Sequence, residues 1–150
     1  MSIDFNGMIE SNPGARLFGP GDEDAVWETT MDIDHLNNGN ARDALACLFG
    51  VRNDYGFHPL SENRGLPEDA SAPVLACFDR WGGPADVFGT TWITCQELAA
   101  ADWDATDEDG TLTRREAAGD TTHWAPVWTV MRLLAELHGP ENVRLVVWFS

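Results

Sequence analysis

Lysine is absent from the chain, so all nine of its positive charges are arginines. Against 25 acidic residues they leave a formal net charge of −16. Binding to a duplex backbone needs basic residues that displace counterions, so this charge excludes direct binding to nucleic acid. The same charge has two possible roles. It would allow the protein to occupy a basic groove on another protein, or it would only form an acidic surface that keeps the chain in solution.

Long apolar runs and cysteine pairs are lacking as well. The longest apolar runs, residues 44–49 and 145–149, are far shorter than a membrane span, and the first residues lack the pattern of a secretion signal. We therefore expect a cytoplasmic protein without a membrane partner. The three cysteines, Cys47, Cys77 and Cys95, have no close spacing, which favours buried free thiols over disulfides.

Aromatic and aliphatic residues are plentiful. Hydrophobic residues make up 43% of the chain and include seven tryptophans and seven phenylalanines, more than a disordered acidic chain carries. The acidity therefore belongs to the surface of a folded protein. The length of 150 residues fits one core, and we expect a single domain over residues 1–150.

Strands are predicted near both ends of the chain. Residues 2–10 alternate loosely between apolar and polar side chains, residues 25–33 form a second candidate, and turn signals at 12–14 and 19–21 favour a β-hairpin. Residues 143–149 place apolar side chains on both faces, as a central or nearly covered strand does. This last strand is expected to pair with the hairpin.

Four helices are predicted from start signals at Asn40, Ser71, Thr94 and Pro126. The clearest signal is the capping box from Thr94 to Glu97, whereas the helix after Asn40 should end near Arg52. Together the elements predict an α+β fold. Its small antiparallel or mixed sheet, from the N-terminal hairpin and the C-terminal strand, is covered on one face by about four helices.

Residues 53–69 form a long segment without predicted regular structure. It contains Gly56, Pro59, Gly65 and Pro67, which are too many helix and strand breakers for either element. Loops of this length usually have a function or an unusual degree of order. The segment is therefore a candidate part of a binding site.

Residues 105–116 partly match a calcium-binding EF-hand loop. Asp107, Asp109 and Glu116 stand at ligand positions and Gly110 at the turn, but Ala105 occupies the first ligand position. A calcium loop and an acidic turn both remain open. The four histidines show no metal-ligand spacing, and no catalytic or cofactor-binding motif is present. We therefore assign no catalytic residue, no metal ligand and no cofactor.

Aromatic and arginine side chains carry the binding hypothesis. Tyr55, Trp92 and Trp103 are able to stack on a nucleobase, and Arg52 and Arg64 are able to pair with phosphate. A structural interpretation stays open beside it. Trp92 and Trp103 would then brace the helix that begins at Thr94, Arg64 would pair with a glutamate of its own loop, and the tyrosine would cover the core.

Short motifs in a fixed order extend along most of the chain: Arg64-Gly65-Leu66-Pro67, a helix that ends in Gly50-Val51-Arg52, the segment from Thr94 to Trp103, and the ending 143–149. They resemble a family of small proteins carried by bacteriophages and prophages. Its members begin with a Gly-Cys-Asp-Ile-His-like strand and continue through an Arg-Gly-Leu-Pro loop and a His-Ser-His-Ser-Trp-like segment.

The chain departs from that family pattern at its histidines. Asp4 falls at the acidic position of the opening strand, but Asn6 stands where the family usually has histidine. Residues 88–92 keep the tryptophan of the His-Ser-His-Ser-Trp segment and neither of its histidines. These departures weigh against metal-dependent hydrolysis.

The resemblance implies a part in the contest between phage and bacterial host. Our leading hypothesis is a counter-defence protein that binds and sequesters a nucleotide-derived immune signal without catalysis, as a homo-oligomer in the host cytoplasm. The expected ligand-binding residues are Asp4, Asn6, Arg52, Tyr55, Arg64, Trp92 and Glu97. The alternatives are an acidic inhibitor that imitates nucleic acid and binds a host defence protein, and a metal-dependent phosphodiesterase.

Overall fold

The computed structural model describes residues 3–15, 26–37 and 39–150. Four antiparallel strands form a sheet of order β2-β1-β4-β3, with bounds β1 Phe5–Ser11, β2 Glu28–Asp32, β3 Phe88–Thr94 and β4 Val143–Phe149. Five α-helices lie entirely within the described residues: α1 Arg42–Phe49, α2 Ala72–Arg80, α3 Cys95–Ala100, α4 Arg114–Ala118 and α5 Ala125–His138. Short 3₁₀ turns cover Ile33–His35, Gly83–Ala85 and Pro140–Asn142. The predicted α+β class is confirmed.

The N-terminal hairpin and the terminal strand pair as predicted. β1 and β2 are antiparallel, with a register shift between Ile9 and Glu10, and β4 pairs along the whole of β1. The turn signal at 19–21 lies outside the described residues, as do Ser2 and Ala25 at the starts of the two predicted strands. Gly7 in β1 allows close packing here, because a Cβ on it would lie 2.6 Å from the carbonyl oxygen of Val146.

β4 is a central strand, and all seven of its residues are buried. Its odd-numbered residues join a large apolar cluster, the major core, with α1, α5 and Ile9 of β1. Val146 and Trp148 join a smaller cluster on the other face, the minor core, whose other members are Met8, Val74, Cys77, Phe78 and Val87. The prediction that helices cover only one face is wrong, since α2 supplies part of the minor core.

β3 was not predicted from the sequence. It covers residues 88–94 at the edge of the sheet next to β4, and its register shifts between Phe88 and Thr91. Gly89 lies within this irregular part at a φ of +66°. Its three large apolar residues, three threonines and one glycine do not alternate between apolar and polar, so the stretch lacks the pattern that identifies a strand.

The predicted helix starts differ in how they are capped. The capping box of α3 is confirmed, because Thr94 accepts from the amide of Glu97 while the Glu97 carboxylate accepts from the amide of Thr94. Ser71 lies at the N-cap of α2, but its hydroxyl contacts that of Thr29 at 2.6 Å and makes no capping bond. The proline signal at Pro126 is confirmed, since α5 begins one residue earlier.

The first helix differs from its prediction at both ends. Its N-cap is Ala41, whereas the Asn40 side chain donates to the carbonyl of Ile3 and ties the helix start to the first strand. The helix ends at Phe49 and not near Arg52. Gly50 adopts a left-handed φ of 72° there and its amide donates to the carbonyl of Ala46, which is a common way to end a helix.

The three cysteines are buried and free, as predicted. Burial raises the pKa of the Cys47 thiol to about 12, so this side chain is a neutral, unreactive part of the major core. None of the helices within the described residues is long and apolar enough to cross a membrane.

Candidate functional site

A groove of about 620 Å³ opens where β3 and β4 meet the loop before α2. The lining residues come from four parts of the chain: Trp27 before β2, Arg64 and Pro67–Asp69 of the loop, Trp92 and Thr94 of β3, and Glu141 and Arg144 at β4. This volume falls in the usual range of small-molecule pockets, about 300–1,000 Å³. The groove is the candidate functional site because it unites two of the predicted binding residues, Arg64 and Trp92.

A buried ion pair lies beside the groove, and one of its members, Arg144, lines it. Glu10 of β1 and Arg144 of β4 are direct partners in the sheet, and both side chains are almost completely buried. The Arg144 Nε donates to Glu10 Oε1 at 2.6 Å, and its Nη1 donates to Asp69 at 2.9 Å. The second oxygen of Glu10 accepts from the amide of Ser71 at 2.7 Å. The pair thereby holds both the end of the loop and the start of α2.

Guanidinium groups and indole rings alternate along the groove. The Arg144 guanidinium lies 3.8 Å from the ring centroid of Trp27 and 5.9 Å from that of Trp92. The Arg64 guanidinium lies 4.9 Å from the Trp92 centroid. These are cation–π distances, and arginine stacks readily on tryptophan. Both arginines therefore already contact the aromatic ring that was predicted to stack a nucleobase.

Arg64 is also paired with the capping glutamate of α3. Its two terminal nitrogens donate to the two oxygens of Glu97 at 2.9 and 2.5 Å, and Nη1 donates to the carbonyl of Trp92 at 3.1 Å. The hydrogen bond from Arg64 is the main cause of a lowered pKa at Glu97, and the amide of Thr94 adds to it. Glu97 thus remains ionised while it serves both the helix start and the arginine.

The charge of the groove is more negative than the sequence suggested. Arg64 is neutralised by Glu97, and Arg144 is shared between Glu10 and Asp69. Glu68 and Glu141 add further carboxylates to the lining, and both are exposed. A phosphate would have to replace a carboxylate that already holds an arginine. A cationic group would pair with the exposed carboxylates of the lining without displacing an arginine from its partner.

Arg64, Trp92 and Glu97 are the predicted binding residues that the structure brings together. The arginine pairs with Glu97, so the expectation that it pairs with a glutamate of its own loop is wrong. Trp92 serves as a stacking partner for guanidinium groups. Sequence reasoning missed Arg144 and Trp27, although an arginine inside an otherwise apolar strand is a detectable signal of a buried charge pair.

The other four predicted residues lie elsewhere. Asp4 and Asn6 line a separate pocket beside Trp81, and Asn6 is only 8% exposed. Asn6 and Glu10 lie on the same face of β1 but four residues apart, roughly 13 Å along a strand. This distance separates their pocket from the groove.

Arg52 and Tyr55 are not among the described residues that line the groove. Arg52 is exposed and has a positive φ of 48°. Tyr55 is half-buried, packs against the major core and lies 6.1 Å from the Phe57 ring. The interpretation of Tyr55 as a core-covering residue is thus the one that its contacts favour.

The EF-hand-like segment is folded as an acidic turn. Asp107 accepts from the amides of Thr111 and Leu112, and these hydrogen bonds outweigh its desolvation and lower its pKa. Glu116 caps α4 through a second capping box with Thr113. Within residues 3–15, 26–37 and 39–150, no group of three or more His, Cys, Asp or Glu side chains is placed to hold a metal ion.

The groove combines a buried charge network, arginine–tryptophan contacts and an acidic rim. This arrangement suits binding, and its arginines are held in fixed positions by their carboxylate partners. A comparison with known proteins finds no match: no family model, no curated protein and no solved structure matches this chain.

Proposed function

We propose that the protein is an acidic, non-enzymatic counter-defence protein that imitates nucleic acid and binds a basic surface of a host defence protein in the bacterial cytoplasm. The observation that carries this proposal is the neutralisation of both groove arginines by carboxylates. Neither Arg64 nor Arg144 offers an unpaired positive charge to an anionic ligand, because each forms an ion pair with a carboxylate. A lysine or arginine of a partner finds exposed carboxylates at the rim.

The rim of the groove supports this choice by its exposure. Glu68, Asp69 and Glu141 are all exposed, and the side chain of Asp69 stays 64% exposed even though it contacts Arg144. Charged rims of this kind steer a partner of opposite charge and increase the association rate. The proposal therefore predicts binding that weakens strongly as salt is added.

The test compares two variants of equal charge. Glu68→Gln, Asp69→Asn and Glu141→Gln remove the groove rim, whereas Glu108→Gln, Asp109→Asn and Glu136→Gln remove three exposed carboxylates elsewhere. An oligo-arginine peptide is titrated into each by isothermal calorimetry at low and high salt. We expect the rim variant to bind about tenfold more weakly than the control variant, a difference of about 1.4 kcal/mol.

Equal affinities of the two triple variants would contradict the proposal, because they would show that the peptide responds to net charge and not to the groove. Aspartate-to-asparagine and glutamate-to-glutamine changes keep the side-chain size. Residue 69 therefore keeps an oxygen that accepts the hydrogen bond from Arg144, and circular dichroism of both triple variants verifies the fold.

A second candidate is sequestration of a nucleotide-derived immune signal in the same groove. The volume of about 620 Å³ and the half-buried ring of Trp27 favour it. A phosphate would exchange with Glu97 at Arg64, and subunits of a homo-oligomer would close the site. Native mass spectrometry of protein from cells that produce cyclic nucleotide signals tests this candidate. An intact nucleotide at fixed stoichiometry would support it, and ligand-free protein would favour the acidic inhibitor.

A further inference from the structure

A separate cavity of about 200 Å³ lies between α3, α4 and α5. Its apolar part is formed by Cys95, Leu98, Trp103 and Trp128. Both indole N–H groups are used inside the protein: Trp103 donates to the carbonyl of Leu98 at 2.9 Å, and Trp128 to that of Ala118 at 2.6 Å. The carbon surfaces of these rings are therefore left as the apolar lining, without an unsatisfied donor.

Two arginines line the same cavity, and each forms an ion pair with an aspartate. Arg132 contacts Asp120 at 2.9 Å and Arg115 contacts Asp104 at 3.3 Å. All four side chains are at least 55% exposed. Exposed ion pairs contribute about 0–1 kcal/mol, so either aspartate is easily replaced by another carboxylate. This distinguishes Arg115 and Arg132 from the buried Arg144.

The guanidinium groups of the lining favour an anionic ligand. The described lining residues include both arginines and Asp120, whereas Asp104 pairs with Arg115 from outside the lining. Both arginines are thus already paired, and a ligand carboxylate would bind by replacing an aspartate in one of these exposed ion pairs. Planar guanidinium groups match a carboxylate with two parallel hydrogen bonds.

The size of the cavity limits the rest of the ligand. An apolar cavity of about 150 Å³ is enough to bind benzene. The volume of about 200 Å³ therefore accepts one aromatic ring with a small substituent, and not a nucleoside. Burial raises the pKa of the Cys95 thiol, so this side chain is neutral and adds to the apolar lining.

We propose that this cavity binds a small monocyclic aromatic carboxylate, with its ring against Trp103 and Trp128 and its carboxylate at Arg115 and Arg132. The described lining residues of this cavity and of the groove do not overlap. Binding would bury the ring of the ligand in the cavity. It would also replace weak surface ion pairs between arginine and aspartate with a bidentate pair between arginine and the ligand carboxylate.

The experiment uses para-fluorobenzoate as the probe, observed by fluorine NMR during titration of the full chain. We expect saturable binding, and about tenfold weaker binding of para-fluorobenzyl alcohol, which has the same ring without the charge. Equal affinity for the two probes, or a response that does not saturate, would overturn the proposal.

Variants locate the site. The double change Arg115→Gln and Arg132→Gln should weaken para-fluorobenzoate binding about tenfold. The double change Arg42→Gln and Arg80→Gln is the matched control, because it removes the same two charges from exposed arginines that do not line the cavity. Ala99→Leu should fill the cavity and abolish binding, with circular dichroism to verify the fold. Unchanged binding in the arginine double variant, or in a folded Ala99→Leu protein, would refute the proposed site.

Discussion

The two faces of the sheet are built on different principles. The major core is a large apolar cluster under α1 and α5, with Leu145, Val147 and Phe149 of β4 at its centre. The buried Thr91 lies on the same face, but its side chain is uncharged. The opposite face combines the small minor core with the buried Glu10–Arg144 pair. Adjacent residues of one strand therefore serve two environments, since Arg144 and Leu145 point to opposite sides.

The two faces of the sheet therefore have different roles, one in the stability of the fold and the other in the shape of the groove. Apolar burial is non-directional and tolerates many side chains, whereas a buried ion pair requires fixed partners. The ion pair connects β1, β4, the loop end at Asp69 and the start of α2, and it supports the groove. We therefore expect the polar face to determine how the groove is shaped and the apolar face to supply most of the folding free energy.

The largest expected effect comes from breaking the buried pair. Arg144→Met leaves Glu10 as a buried carboxylate without its cation and should lower the free energy of unfolding by about 3–5 kcal/mol. Urea denaturation measures the change. The double variant Glu10→Leu with Arg144→Met should recover most of the loss, because buried pairs are often replaced by apolar residues at little cost. A single variant as stable as the wild type would show that the pair does not hold this face.

A matched pair of core substitutions compares the two faces directly. Val146 and Val147 are both 0% exposed, neighbours in β4, and lie in the minor and major core. Each change to alanine should lower the free energy of unfolding by about 2 kcal/mol, with the larger loss for Val147→Ala, since the larger cluster relaxes less around a cavity. Chemical denaturation of both variants decides this. A larger loss for Val146→Ala would reverse our ranking of the faces.

The two capping boxes differ in one partner and give a smaller effect. Glu97 and Glu116 each cap a helix, but only Glu97 also holds an arginine. Glu97→Gln should lower the unfolding free energy by about 1 kcal/mol, and Glu116→Gln by about half of that, since both side chains are partly solvent-exposed. Thermal denaturation of the two variants makes the comparison. Equal losses would mean that the pairing with Arg64 contributes nothing measurable to stability.

The smallest effect is a pH dependence of the same side chain. The pKa of Glu97 is lower in the folded protein than its ordinary value of 4.5, so its contribution to stability is complete above that value and is lost as the pH falls through the folded pKa. The stability difference between wild type and Glu97→Gln should therefore shrink below pH 4.5. A difference that stays constant on acidification would show that the ionised form is not favoured by folding.

Local patterns were predicted better than long-range partners. The capping box at Thr94 and the strand 143–149 depend on residues close in sequence, and both were found. The second capping box at Thr113 was not predicted, since Glu116 was compared only with the last position of an EF-hand loop, without a choice between a calcium loop and an acidic turn. β3 was missed because Gly89 and an irregular register hide its alternation.

The site was harder to predict because its partners are distant in sequence. Arg64 and Glu97 are 33 residues apart, and Glu10 and Arg144 are 134 residues apart. No spacing rule connects such residues, and in a chain with 25 acidic residues each arginine has many possible partners. The sequence predicted Arg64, Trp92 and Glu97 as separate binding candidates, but their contacts with one another depend on how the sheet is ordered.

The sheet order has a consequence for the order of events during synthesis. β4 lies between β1 and β3, so neither strand has its principal partner until residues 143–149 have been made. Pairing across such sequence distances slows folding, and unpaired strands are prone to associate with other chains. During that interval the many acidic residues would keep nascent chains apart through mutual repulsion. The excess negative charge would thus limit association between chains before β4 completes the sheet.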